Sequence, residues 1–307
     1  MGSYIWQTVH HEIGHILGLG HQGNYNGTGS YPSDADFAND SWQSSIMSYF
    51  SQTANTTIDA DYSRLLTPSA VDWIALDDIY GDYSGFGVSN AFNGDTIFGF
   101  NTNIGTSTSA IWNSFSSQIR TNSYCIVDGS GNDTLDLSEM TSNDKIDLRP
   151  TDKNSSSLYA SDIAGKKGNL HIAANTYIEN CISGSGNNVL IGNNKDNHIQ
   201  SGAGNDTITG GSGNDILDGG TGTDSVIFKN SFGDYSFKIN DSNNLEVNDN
   251  RWGNSSNGDG KDTLLNIENL TFGGESKSFS EVISNFQTSI DTSGLIKLNK
   301  NKSDNIL

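Results

Sequence analysis

Proline is nearly absent from this chain, with 3 residues in 307. Cysteine is scarcer still. Cys125 and Cys181 stand far apart and outside CxxC spacing. That excludes a disulfide-stapled scaffold and leaves two options, one long-range disulfide or two buried thiols. Positive charge is also short, 16 basic residues against 36 acidic, for a net charge of -20. So acidic a chain repels nucleic acid and anionic membranes, so neither is an expected partner. No apolar run approaches the ~20 residues of a membrane-spanning helix. The opening Met1-Gly2-Ser3-Tyr4 has neither the basic region nor the apolar run of a secretory signal peptide. Either the protein stays inside the cell, leaves by a route read elsewhere in the chain, or lacks its natural start.

What is abundant is glycine, 35 residues, among many Asn, Asp and Ser. With so little proline, that composition points to tight turns rather than a linker. Three zones follow one another. Residues 1–85 hold four of the six histidines and the helical patterns. Ile5, Val9, Ile13, Ile16 and Leu17 form one apolar stripe, which predicts a helix from Tyr4 to Leu17 ended by Gly18 and Gly20. A second helix is predicted from Pro68, with Val71, Ile74, Ala75, Ile79 and Tyr80 as its buried face and Gly81 as its stop. Residues 86–230 are Gly/Asn/Asp-rich with short β-prone runs. Residues 231–307 read as a β-rich extension with a polar tail.

The middle zone repeats. From Ser183 it reads SGSGNNVLI, GNNKDNHIQ, SGAGNDTIT, GGSGNDILD and GGTGTDSVI. Position eight is always apolar: Leu190, Ile199, Ile208, Leu217, Val226. Position six is Asn188, Asn197, Asp206, Asp215 and Asp224. This is the nonapeptide of calcium-binding parallel β-rolls, one turn and one short strand per repeat. The glycines permit positive φ and expose carbonyls, and the position-six side chain completes an oxygen cage for a hard cation. The candidate calcium residues are therefore Gly184, Gly186, Asn188, Gly202, Gly204, Asp206, Gly211, Gly213, Asp215, Gly220, Gly222 and Asp224. The second repeat carries Asn194 and Lys195 where glycine is expected, which predicts a weak or missing site.

Residues 11–21 read His11-Glu12-Ile13-Gly14-His15-Ile16-Leu17-Gly18-Leu19-Gly20-His21. On a helix His11 and His15 lie one turn apart on one face, so both imidazoles can reach one zinc ion. Gly18 lets the chain turn and bring His21 to the same point. Three nitrogen ligands leave a position free, the mark of a catalytic rather than a structural zinc. Zinc acidifies water and polarises a carbonyl, and Glu12 is placed to move the proton. HExxH alone is a weak signal; HExxHxxGxxH is far more specific. His10 is offset by one residue and is expected to be structural. Ser45-Ile46-Met47-Ser48-Tyr49 follows, with Met47 placed as the methionine turn of metzincins.

Together these motifs resemble the serralysin family of secreted bacterial zinc proteases, over residues 4–228. The resemblance implies an α+β fold: a partial metzincin domain with the zinc helix, then the β-roll, then the extension. It implies zinc on His11, His15 and His21, with Tyr49 as a further labile ligand whose phenol stabilises an oxyanion. It also implies calcium ligands at Asp128, Ser130, Gly131 and Asp133, at the facing Gly94 and Thr96, and at Glu179. Peptide or protein substrates, a monomer, and type I export from a Gram-negative bacterium follow from the family; Asp304-Asn305-Ile306-Leu307 is compatible with an uncleaved export signal. Members carry a large N-terminal part, with a substrate-binding edge strand, ahead of the zinc helix. Here His11 is preceded by ten residues. The expectation is therefore a truncated chain with exposed apolar surface on the zinc helix, binding zinc with impaired proteolysis. The competing reading is a non-catalytic calcium-binding repeat protein, such as an adhesin, with a vestigial zinc site.

Overall fold

The computed structural model describes residues 2–105, 109–155, 158–251 and 258–284. It is strand-rich with few helices. The proposed export signal at 304–307 lies outside the described residues.

The first helix, α1, spans Tyr4–Ile16 with Leu17 as its cap. Ser3 Oγ accepts the Trp6 N–H at its start, a local stop on fraying. Gly14 sits mid-helix because a Cβ there would collide with Met47 Sδ. Gly18, at φ +91°, takes the left-handed turn that ends the helix. The apolar stripe faces outward: Ile5 is 74% and Ile16 82% exposed, while Gln7 and Gly14 are buried. The expected uncovered apolar surface is thus present.

The second helix, α2, spans Ala70–Tyr80 and begins two residues after the predicted Pro68. The Asp72 carboxylate reaches back to the Ser69 N–H at 2.8 Å, and Gly81 caps the end. Its predicted face is not the buried one. Ala70 and Asp72 are buried, whereas Ile79 is 44% exposed and Val71, Ile74, Ala75 and Tyr80 are half-buried. The reason is that α2 is apolar on several sides, so its pattern does not specify which side turns inward.

The repeats build two sheets. Strands Asn180–Ile182, His198–Gln200 and Ile216–Asp218 pair in parallel in one. Val189–Ile191, Thr207–Thr209 and Ser225–Phe228 pair in parallel in the other. Each repeat thus hydrogen-bonds to the repeat two away, with Ile199 opposite both Cys181 and Leu217, and Ile208 opposite both Leu190 and Val226. These position-eight residues are buried in one core. Each such aliphatic side chain contributes on the order of 2 kcal/mol by leaving water.

Both sheets continue past the repeats on either side. Thr134–Asp136 and Ile97–Gly99 extend one, and Lys145–Asp147 extends the other. Lys261–Leu265 and Asn269–Phe272 add parallel strands at the far end. So the region expected as a separate extension after residue 230 is partly built into the same ladders. The short strand Arg64–Leu65 pairs with Asn122–Ile126, and Leu66 joins the common core. Cys125 and Cys181 are buried free thiols, which settles the disulfide question against a bridge.

Candidate metal centres

The three histidines of the HExxHxxGxxH segment converge. His21 Nε2 lies 3.1 Å from His15 Nε2 and 3.3 Å from His11 Nε2. Each ring is held from behind. Nδ1 of His11 faces the Ile46 carbonyl at 2.9 Å, Nδ1 of His15 the Leu19 carbonyl at 2.9 Å, and Nδ1 of His21 the Tyr25 carbonyl at 2.8 Å. A carbonyl only accepts, so all three Nδ1 atoms donate, and in the neutral form of each ring Nε2 then presents a lone pair. Three lone pairs this close repel unless a cation lies between them. Tetrahedral ligands about 2.1 Å from zinc stand about 3.4 Å apart, which fits this spacing. His10 points elsewhere, with Nδ1 2.9 Å from the Trp6 carbonyl, as its offset predicts.

Local sequence explains the supports. The turn after Gly18 delivers the Leu19 carbonyl to His15. Met47, 1% exposed, lies beneath α1 against Gly14. The Ile46 carbonyl is aimed by a buried carboxylate. Asp72 accepts the Ser45 hydroxyl at 2.6 Å and the Ile46 N–H at 2.7 Å. Burial pushes Asp72 up to about 6, against the pull of those donors. Behind His21, the Tyr25 hydroxyl donates to the buried Asp40 at 3.1 Å. Sequence reasoning missed Asp72, Tyr25 and Asp40, since the Asp72 contacts to Ser45 and Ile46 and the Tyr25–Asp40 pair form only in the folded chain. His11 is held below the usual imidazole range, chiefly by burial.

Tyr49 packs its ring 4.6 Å from that of His21 and 5.7 Å from that of His11. Its phenol oxygen accepts the Gly27 N–H at 3.3 Å. Glu12 is exposed beside His11 on the wall of a cleft of about 370 Å³. That cleft is lined by α1 residues and by residues between Gly27 and Tyr49, and no described strand borders it.

The expected calcium residues fall into two rows of stacked turns. In one segment cluster, Thr96 N–H donates to Asp133 at 2.8 Å, Gly94 N–H to the Ser130 carbonyl at 2.7 Å, Ser130 N–H to Asp128 at 3.0 Å, and Asp133 N–H to Glu179 at 2.9 Å. Gly131, at φ +154°, lies over the Gly94 carbonyl. All seven residues are thus brought together. Burial first, then the charge of Asp133, pushes Asp128 up to about 8.

In the repeats, the Asn188 N–H donates to Asp206 at 2.7 Å and the Asp206 N–H to Asp224 at 2.8 Å. One oxygen of each of Asp128, Asp206, Asp215 and Asp224 is buried without a hydrogen-bond partner. A buried carboxylate oxygen with no donor is costly, and an oxygen-seeking cation fits it. A Cβ at Gly220 or Gly222 would collide with the carbonyl of Gly202 or Gly204 on the turn below, so the stacking requires glycine there. Gly184, Gly186, Gly202, Gly204, Gly211 and Gly213 stack likewise. In the degenerate repeat, the Asn197 amide donates to the Ile178 and Glu179 carbonyls at 3.3 and 3.1 Å, so protein groups serve it.

The histidine cluster and the carboxylate-lined turns offer two kinds of donor set, one of imidazoles and one of oxygens. The family described as Peptidase M10 serralysin C terminal matches residues 89–306. The chain belongs to this serralysin family of metallopeptidases. A second pattern, Metallo-peptidase family M12B Reprolysin-like, matches residues 2–74. Metalloprotease AprA of Pseudomonas entomophila (strain L48) is 40% identical over 198 residues, covering 62% of this chain and 37% of that protein. Serralysin C of Dickeya chrysanthemi is 40% identical over 192 residues, covering 62% and 36%. Serralysin of Photorhabdus luminescens is 37% identical over 205 residues, covering 65% and 38%. The matched region spans less than half the length of these relatives.

Proposed function

We propose that this chain carries the zinc-binding floor of a metalloendopeptidase on a calcium-folded β-roll that accompanies it out of the cell. The observation that carries the zinc reading is the set of three Nε2 lone pairs held at one point by backbone carbonyls. Zinc bound there supplies Lewis acidity toward a peptide carbonyl and toward water. Glu12 takes a proton from water and returns it to the leaving nitrogen. The Tyr49 phenol, released from Gly27, donates to the developing oxyanion. The substrates are peptides of extracellular proteins.

Among the described residues, the cleft walls come from α1 and residues 27–49. A peptide held by these walls only would be hydrolysed slowly, because positioning supplies much of a protease's rate. Calcium on the repeat turns, at the positions named above, neutralises the buried carboxylates. At low intracellular calcium the Gly-rich roll remains unfolded and passes an export channel, and it folds at extracellular calcium of roughly 10⁻⁴–10⁻³ M.

Metal analysis with a peptidase assay tests this. One zinc per chain is expected, lost in His11→Ala and retained in Glu12→Ala, with any casein hydrolysis abolished by both. Hydrolysis that survives Glu12→Ala would overturn the catalytic assignment. Calcium uptake without zinc uptake would favour a non-catalytic repeat protein.

A further inference from the structure

The nonapeptide pattern stops at Ile227, but the turn ladder does not. After Phe228 the chain leaves the roll as an antiparallel hairpin, Tyr235–Ile239 with Leu245–Asp249. It then returns. Lys261–Leu265 runs parallel to Ile216–Asp218, with Leu264 opposite Leu217. The preceding residues read Gly258-Asp259-Gly260-Lys261-Asp262-Thr263-Leu264. That is the same Gly-x-Gly-x-Asp-x-apolar frame, displaced by a 47-residue step where the repeats step by 18.

The geometry repeats as well. The Asp215 N–H donates to Asp262 Oδ1 at 3.0 Å, as the Asn197 N–H donates to Asp215 Oδ1 at 2.8 Å. Gly260, at φ +82°, lies over the Gly213 carbonyl, where a Cβ would collide. Gly213 lies over the Lys195 carbonyl in the same way. Asp215 and Asp262 are 1% and 2% exposed. Asp215 Oδ2 is buried without a partner and curls back against Gly210, into the turn on which residues 258–262 stack. Among the described residues no lysine or arginine pairs with either carboxylate; Lys261 Nζ turns away to Glu246 at 2.9 Å.

We propose that Asp215 and Asp262, with carbonyls of the stacked turns 210–215 and 258–262, hold a calcium ion, so that the hairpin insertion lengthens the calcium ladder by one rung. The proposal rests on reading the repeat turns as calcium sites. Oxygen-only donors from flexible turns suit calcium better than smaller divalent ions, which demand stricter geometry. Burial pushes Asp215 up to about 7, and burial plus the charge of Asp215 raises Asp262. Such a pair, ionised at neutral pH, is stabilised by a cation held between the two turns.

Calcium bound per chain, measured by equilibrium dialysis on the full chain and on Asp262→Asn, tests the assignment. Wild type should bind several ions and the variant one fewer, with the remaining sites unchanged. An equal number at equal affinity overturns the proposal and leaves the repeat sites standing. No calcium on wild type overturns the calcium reading of the roll as well. Should Asp262→Asn fail to fold, hydrogen exchange on wild type decides. Amides of 261–265 should gain at least tenfold protection along the same calcium titration as 216–218. Protection of 261–265 that is complete without calcium overturns the site.

Discussion

The helix that carries the HExxH histidines and the repeat turns both gather candidate metal ligands, but they hold them by opposite means. In the first, each imidazole is fixed from behind by a backbone carbonyl. In the second, the candidate ligands are buried carboxylates with oxygens that no protein donor serves. On the proposed reading, the braced imidazoles take a metal for chemistry, and the buried, unserved carboxylates take one for folding. The apolar surfaces differ in the same sense: the roll buries its position-eight aliphatic side chains, and α1 exposes Ile5, Ile13 and Ile16.

The largest expected effect is on the roll. Chelating calcium should abolish most of the β signal in circular dichroism, and adding calcium should restore it. A spectrum unchanged by chelation would erase the contrast. Next, Glu12→Ala should lower peptidase activity by roughly 10²–10⁴-fold, as expected for loss of a general base, while bound zinc stays at the wild-type level. Equal loss of zinc would make Glu12 a structural residue.

A pair of alanine substitutions compares the two surfaces directly. In calcium, Ile199→Ala should cost about 2–5 kcal/mol in denaturant unfolding, since Ile199 is fully buried. Ile16→Ala should stay within about 0.5 kcal/mol, because Ile16 is 82% exposed. Similar costs would mean that α1 is covered in solution.

Two pH trends are smaller. Asp224 is pushed up to about 6 and Asp215 to about 7, in each case chiefly by burial. A raised folded-state carboxyl favours the folded chain at low pH, and that advantage fades as pH rises through the folded value. At sub-saturating calcium, thermal stability should therefore carry a falling contribution between about pH 4 and 7, which saturating calcium should flatten. His171 behaves in reverse. It is fully buried with neither ring nitrogen partnered, and burial lowers it from 6.5 to about 4. Its neutral form contributes stability above pH 6.5 that is lost as pH falls toward 4. His171→Leu should flatten that acid limb; an unchanged acid limb would assign it to other groups.

Much of both sites was legible in the chain itself. His11, Glu12, His15 and His21 are readable because helical periodicity turns a short spacing into one geometry. The repeats are readable because each turn and strand closes within nine residues. The 258–264 turn shows the same frame and could have been read, but the hairpin insertion hides it from any search for contiguous repeats. Asp40 carried no local signal, and the Ser69-x-x-Asp72 spacing signals only a helix cap, not the reach of Asp72 to Ser45 and Ile46.

The sequence by itself determined the local chemistry: which residues are candidate ligands, where turns need glycine, and which strand positions are apolar. Those follow from covalent spacing and backbone sterics over a few residues. The tertiary structure alone decided which carbonyls brace the histidines, which side of α2 is buried, and that Asp262 stacks on Asp215 across 47 residues. Each of these depends on a contact between distant segments, and many sequences can make or lose such a contact without changing any local pattern.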